Sequence, residues 1–163
     1  MEDFLTERPI TVRCRTHKAS LREIVTSLKS QGVTVEQAPY LPYALKISDY
    51  NHILTLETFL QGKILVQDVS SMLVAEAASP KKGDHIIDMC AAPGGKSIHA
   101  ADKMGDYGNV DARDVSQYKA DLIKENIHRT GVINVEARVQ DATVYDPDSE
   151  HAADIVIADV PCS

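Results

Sequence analysis

From Gly83 onward short apolar runs alternate with amphipathic stretches, and that alternation leaves few folds open. His85–Met89 reads as a short apolar strand, Ala92-Pro-Gly-Gly as a tight loop and Lys96–Met104 as a helix. Asn109–Asp114 is a strand less apolar than usual. Val115, Tyr118, Leu122, Ile123 and Ile127 mark a helix ending before Gly131. Val135–Val139 is the next strand. Asp154–Val160, with Ile155, Val156, Ile157 and Ala158, is the strongest. Strand–helix–strand–helix–strand–strand predicts a parallel α/β sheet with right-handed crossovers. Such sheets bind ligands beyond the carboxyl ends of their strands.

The first third reads as a small α+β domain, and the expected division is 1–67 and 68–163. Ile10 to Arg15 alternates as a strand. Leu21, Ile24, Val25 and Leu28 form one helix face, with Gly32 at the helix end. Val33–Glu36, Ala44–Ile47 and Gly62–Val66 are further strands. Asp68 is placed to cap a helix over Val69–Ala78, with Val69, Met72, Leu73 and Ala77 expected inward.

Charge and cysteine usage narrow the setting. The 163 residues carry a net charge of −7, and 15 of the 24 acidic residues lie after Gly83. Between Arg8 and Lys29 six basic residues face a single acid, Glu23. That cluster suits either phosphates or a solvated helix face. No apolar run is long enough for a membrane span, and the charged start does not read as a secretory signal. Three widely spaced Cys (14, 90, 162) form no disulfide framework, and no Cys or His pair has zinc-ligand spacing, so no metal is expected. A reducing, cytoplasmic setting is expected.

The segment Ile87-Asp-Met-Cys-Ala-Ala-Pro-Gly-Gly-Lys-Ser97 admits three cofactor classes. A P-loop needs glycine five residues before Gly95, where Cys90 stands. A dinucleotide loop needs three spaced glycines, and Gly94 and Gly95 are adjacent. S-adenosylmethionine fits better. Its backbone-hugging binding suits the two glycines, and its carboxylate suits the N–H groups and positive end of the following helix. Asp88 would orient the loop or face the ammonium. Asp114, at the second strand end, would hold the ribose, and Asp141, at the third, would meet the adenine. Each carboxylate alone is as readily a helix cap; three at successive strand ends favour a site.

At the fourth strand end stands Asp159-Val-Pro-Cys-Ser163. A thiolate that adds to carbon 6 of a cytosine makes carbon 5 nucleophilic enough to take a methyl group. Cys162 lies where that chemistry would occur, and Asp159 could hydrogen-bond the base edge or relay a proton. Cys14 reads as structural, and the six His as surface or core residues.

Asp88-Met-Cys-Ala-Ala-Pro-Gly-Gly-Lys96 resembles the D-x-C-A-A-P-G-G-K signature of the Sun/Fmu family of RNA (cytosine-5)-methyltransferases. Asp159-Val-Pro-Cys-Ser163 is similar to its D-A-P-C-S-G segment, and Gln67-Asp-Val-Ser-Ser71 to its Q-D-x-S-S segment. The likeness runs from about Arg8 to the last residue and is greatest to bacterial enzymes acting on 16S ribosomal RNA. It implies a class I, Rossmann-like methyltransferase sheet, here the first four strands of seven, after the small α+β domain. It implies that Cys90, Ala91, Ala92, Pro93, Gly94, Gly95 and Lys96 line S-adenosyl-L-methionine. Asp114 is implied at the ribose, Asp141 by the adenine, and Asp159 between cofactor and target base. Cys162 matches a family cysteine implied to help release product; the nucleophile is a second cysteine in a Thr-Cys context that this sequence lacks. Val160 replaces the usual Ala, and Ser97 stands where Thr is common. The expectation is therefore a truncated or internal piece, inactive by itself, of an enzyme that is a monomer when complete. RNA is the expected partner, with Arg13, Arg15 and Lys18 as candidate phosphate contacts. Two other readings stay open. One is a DNA cytosine-5 methyltransferase, in which the Pro-Cys cysteine is itself the nucleophile. The other is a non-catalytic cofactor- or RNA-binding module.

Overall fold

The computed structural model describes residues 9–105 and 107–160, which form two compact units that divide between Ser70 and Ser71. The first holds an antiparallel sheet in the order β2-β3-β1-β4, from β1 (Ile10–Cys14), β2 (Thr34–Gln37), β3 (Ala44–Ser48) and β4 (Ile64–Val66). Alternation along β1 and β3 puts Val12, Cys14, Leu45 and Ile47 on one buried face. Helix α1 (Leu21–Ser30) lays Ile24 and Leu28 on that face, both fully buried. Its start is fixed by a reciprocal capping box. The Ser20 N–H donates to Glu23 Oε2 at 2.7 Å, and the Glu23 N–H donates to Ser20 Oγ at 3.3 Å. A short helix α2 (Glu57–Leu60) precedes β4.

Two of the candidate RNA contacts are corrected here. Arg13 and Arg15 are only 2% and 1% exposed. Arg13 lies on β1, which is paired with β3 on one side and β4 on the other, and Arg15 directly follows that strand; both side chains are buried in the unit. Arg13 Nε donates to Gln67 Oε1 at 2.9 Å, and Arg15 Nη1 donates to the Gly62 carbonyl at 3.0 Å. These are structural cations rather than phosphate contacts. Lys18 is exposed.

Helix α3 (Val69–Ala78) forms over the expected residues but turns a different face inward. Met72 and Ala75 are buried, whereas Leu73 and Ala77 are exposed. The helix is apolar on nearly every side, so spacing alone does not select its buried face.

The second unit is a parallel sheet in the order β7-β6-β5-β8: β5 (His85–Asp88), β6 (Asn109–Asp114), β7 (Val135–Val139) and β8 (Ile155–Ile157). α4 (Gly95–Met104) and α5 (Gln117–Thr130) are the crossovers. Ile86, Val110, Ala112 and Ile157 from the strands pack with Ala100, Ala101 and Met104 of α4 and Ile123 of α5. The polar look of β6 has a pairwise cause. Asp111 and Arg113 share the opposite face, where Arg113 Nε and Nη2 donate to Asp111 Oδ2 at 2.8 and 2.6 Å. Arg113 Nη1 also reaches Asp146 and the Ser149 hydroxyl, and Arg138 Nε lies 3.1 Å from Asp111 Oδ1. A buried charge held this way is paired and hydrogen-bonded.

Two boundaries differ from expectation. α5 begins at Gln117, because Ser116 accepts from the Lys119 N–H and caps it; Val115 and Tyr118 are therefore exposed rather than inward. β8 covers three residues rather than the Asp154–Val160 run. Its start is pinned by mutual bonds: the Asp154 N–H donates to the His85 carbonyl at 2.8 Å and the His85 N–H to Asp154 Oδ2 at 2.8 Å. β8 is an edge of the described sheet.

Candidate active site

Parallel pairing with Asp88 opposite Ala112 and Ile157, and Asp114 opposite Val139, brings four carboxylates to one edge of the second sheet. Asp88 ends β5 and Asp114 ends β6; Asp141 and Asp159 lie two residues beyond β7 and β8.

The loop between β5 and α4 is tied to both neighbouring strands. The Met89 N–H donates to the Ile157 carbonyl at 2.9 Å, and the Ala91 N–H to the Arg113 carbonyl at 2.8 Å. The Ala92 N–H donates to Asp114 Oδ2 at 3.0 Å, and Asn126 Nδ2 to the Pro93 carbonyl at 3.0 Å. Gly94 caps α4 at φ +100°, and a Cβ there would stand 3.3 Å from Ile123 Cγ2. Glycine is needed both for the left-handed backbone and for the close approach of α5. The first-turn N–H groups of Gly95, Lys96 and Ser97 have no helical carbonyl to bond and make the start of α4 its positively polarised end.

Asp88, at the end of β5, is fully buried. Its Oδ2 accepts from the Ser97 hydroxyl at 2.6 Å, while Oδ1 has no hydrogen-bond partner among the described residues. Burial lifts its pKa from 3.8 to about 6, opposed by the Ser97 bond, the Lys96 charge and the Cys90 N–H. At neutral pH it is mostly a carboxylate with one oxygen unsatisfied. Cys90 has its thiol pKa raised, first by burial and then by the Asp114 and Asp88 carboxylates, so it stays a protonated lining group.

Asp114 is 3% exposed and caps no helix. Besides accepting from the Ala92 N–H, it takes the Val115 N–H on Oδ1 at 2.8 Å, and Lys119 Nζ lies 3.2 Å from the same oxygen. Asp141 is exposed and folds its own turn. Its Oδ1 accepts from the Thr143 N–H and hydroxyl at 2.9 and 2.7 Å, which lowers its pKa. Lys96 Nζ sits 2.7 Å from Asp159 Oδ2, joining the first turn of α4 to the end of β8. Beside Asp141 a cleft of about 250 Å³ opens, lined by Met89, Arg113, Val144, Tyr145 and Val156 among others. Cys162 lies outside the described residues. Among those residues no cluster of three or more His, Cys, Asp and Glu could hold a metal ion, and no helix is long and apolar enough to cross a membrane.

The structure thus brings Asp88, Asp114, Asp159 and the loop Cys90–Lys96 to one edge, with Asp141 beside them. Sequence reasoning missed Ser97 as the anchor of Asp88, Lys119 as the cation facing Asp114, and Tyr145. Lys119 carried a signal, one and a half turns after Asp114. Ser97 follows Asp88 by nine residues, and its bond to that carboxylate, like the place of Tyr145 in the cleft wall, is set by the turn of the chain rather than by hydrophobic period.

Residues 75–163 match the family described as 16S rRNA methyltransferase RsmB/F. The chain is 36% identical over 154 residues to a probable ribosomal RNA small subunit methyltransferase B from Bacillus subtilis, covering 94% of this chain and 34% of the relative. It is 40% identical over 108 residues to a tRNA (cytosine(72)-C(5))-methyltransferase from Pyrococcus horikoshii, covering 66% and 28%. The solved structure of a methyltransferase homologue protein from Pyrococcus horikoshii superimposes with a TM-score of 0.71 at 31% identity, covering 82% of this chain and 44% of that one. The chain spans about a third or less of the length of these curated relatives. The matched stretch is more than half of the chain and holds the glycine loop and all four strand-end carboxylates, so the chain belongs to the RsmB/F methyltransferase family.

Proposed function

We propose that these residues form the cofactor-binding part of an S-adenosylmethionine-dependent enzyme that methylates carbon 5 of a cytosine in RNA. The observation that carries this reading is the glycine loop tied to Asp114 over a buried carboxylate with one unsatisfied oxygen. That donor and acceptor set suits a ligand with a carboxylate, an ammonium and a ribose. The first-turn N–H groups of α4 would take the carboxylate, Asp88 the ammonium side and Asp114 the ribose hydroxyls. Asp141 and the cleft beside it would take the adenine. When bound, the cofactor supplies a methyl group on a sulfonium sulfur.

On the base, a cysteine thiolate adds to carbon 6, carbon 5 takes the methyl group and loses its proton to a base, and the thiolate leaves as the double bond re-forms. Within this chain Lys96 holds Asp159 at the end of β8 by the 2.7 Å ion pair, where its carboxylate can hydrogen-bond the cytosine edge. Cys162 would assist release of the product. The nucleophile of the family sits in a Thr-Cys pair, and these 163 residues hold none, so cofactor binding without turnover is expected of them. The reading favours small-subunit ribosomal RNA as substrate, acted on in the cytoplasm by a monomeric enzyme; relatives named for ribosomal RNA support it, and one named for tRNA marks the competing substrate.

Calorimetric titration of the chain with S-adenosylhomocysteine tests the site. Asp114→Asn, which keeps an acceptor for the Ala92 N–H, is expected to weaken binding at least about tenfold, or about 1.4 kcal/mol. No binding by the unsubstituted chain, or equal binding by the variant, refutes the assignment.

A further inference from the structure

The first unit carries an opening of its own along the outer side of α1. It is a groove of about 580 Å³ whose walls include Lys18, Arg22, Glu23, Ser27, Glu57 and Lys63. Its lining restricts the partner. Ala19 is the sole apolar side chain in it, so a protein helix or a lipid chain would find little to bury. Three cations line it, and among the described residues the Lys18, Arg22 and Lys63 side chains make no hydrogen bond, although the Lys63 charge acts on the Glu23 carboxylate. The two carboxylates accept their hydrogen bonds within or beside their own helices, and the two acids leave the three cations in excess. Glu23 accepts from the Ser20 N–H and hydroxyl at 2.7 and 2.8 Å, and Glu57 accepts from the Gln61 amide at 2.7 Å. Ser27 Oγ accepts from Gln31 Nε2 at 3.3 Å and keeps its own proton to donate.

The fold holds these groups in place through the buried arginine. Arg15 Nη1 fixes the Gly62 carbonyl, the Arg15 N–H donates to the Lys63 carbonyl at 2.9 Å, and the Lys18 N–H donates to the Arg15 carbonyl at 2.9 Å. Lys63 and Lys18 are thereby held beside the first turn of α1. Arg22, Thr26 and Ser30 then run down one wall at four-residue spacing, about 12 Å of helix.

We infer that this groove seats the phosphodiester backbone of RNA, with Lys18, Arg22 and Lys63 against phosphates and the Ser27 hydroxyl donating to one. The preference for an extended anion rests on the groove alone; its identity as RNA rests on the methyltransferase reading above. Contacts of this kind position a strand without reading its sequence.

The test is fluorescence anisotropy of a labelled single-stranded RNA of about 20 nucleotides, titrated with the chain from roughly 50 to 200 mM salt. The triple variant Lys18→Ala, Arg22→Ala, Lys63→Ala is expected to lower the slope of log affinity on log salt by about 2, at about 0.7 for each phosphate no longer neutralised. Binding should weaken alike for every sequence. Lys46→Ala, on the sheet face opposite Leu45 and Ile47 and so away from α1, should change nothing. An unchanged slope in a triple variant with intact circular dichroism overturns the inference, as does failure of the unsubstituted chain to bind at the lowest salt. Titrating the same proteins with S-adenosylhomocysteine separates the two readings. Cofactor bound with an unchanged slope sinks the groove alone. No cofactor binding with a lowered slope sinks the methyltransferase reading and leaves the groove an anion seat.

Discussion

Asp88 should make the second unit less stable as the pH rises, and Asp88→Asn should abolish that trend. The carboxyl is fully buried, with a native pKa of about 6 against an ordinary 3.8. Between those values the native state holds a proton that the unfolded chain has released. Stability conferred by the protonated carboxyl is therefore complete below pH 3.8 and declines as pH climbs through 6. The full decline is about 3 kcal/mol, and solvent does not discount it because the group has no exposed surface. The asparagine variant adds a constant term, since its amide nitrogen can stand where Oδ1 now lacks a partner and stay unsatisfied itself at a cost of about 1–3 kcal/mol. That term does not depend on pH, so the readout is the difference between the two pH profiles. Urea titrations at several pH values, followed by NMR intensities of the Ile86 and Ile87 amides, report on this unit alone. The unsubstituted chain should lose about 3 kcal/mol relative to the variant from acid to neutral pH. Parallel profiles would refute the argument, because the Asp88 charge would then cost nothing to bury.

Two further substitutions probe local structure. Gly94→Ala should destabilise the second unit by about 1–3 kcal/mol, since alanine must adopt φ +100° and press its methyl toward Ile123 Cγ2; an unchanged urea midpoint would show that the loop relaxes freely. Ser20→Ala removes the acceptor for the Glu23 N–H and should cost the first unit about 1 kcal/mol in thermal or urea unfolding; no loss would mean that Glu23 alone secures the start of α1.

Much of the fold was written locally. The strand–helix order after Gly83, the bounds of β6 and β7, and the helix over Val69–Ala78 follow from hydrophobic period and from turn residues, which act over a few neighbours. The glycine loop was legible because a tight strand-to-helix turn has few sequence solutions. What failed was whatever depended on distant segments. Arg13 and Arg15 looked like surface cations, and only the folded first unit, with Arg13 on β1 and Arg15 just after it, shows that they are buried. Asp114 had equal local claims as helix cap and as site residue. The fold sets Ser116, not Asp114, at the helix cap and brings the Ala92 N–H to the Asp114 carboxylate.

By itself, then, the sequence determined the parallel α/β half, its glycine loop and the family to which both belong, since each is set by short-range pattern. Tertiary structure alone decided which charges are buried and paired inside the units and which stay exposed. A charged side chain does not have its burial fixed by its own stretch of sequence. Its state depends on burial and on partners such as Ser97 for Asp88, Lys119 for Asp114 and Gly62 for Arg15, and only folding assembles these.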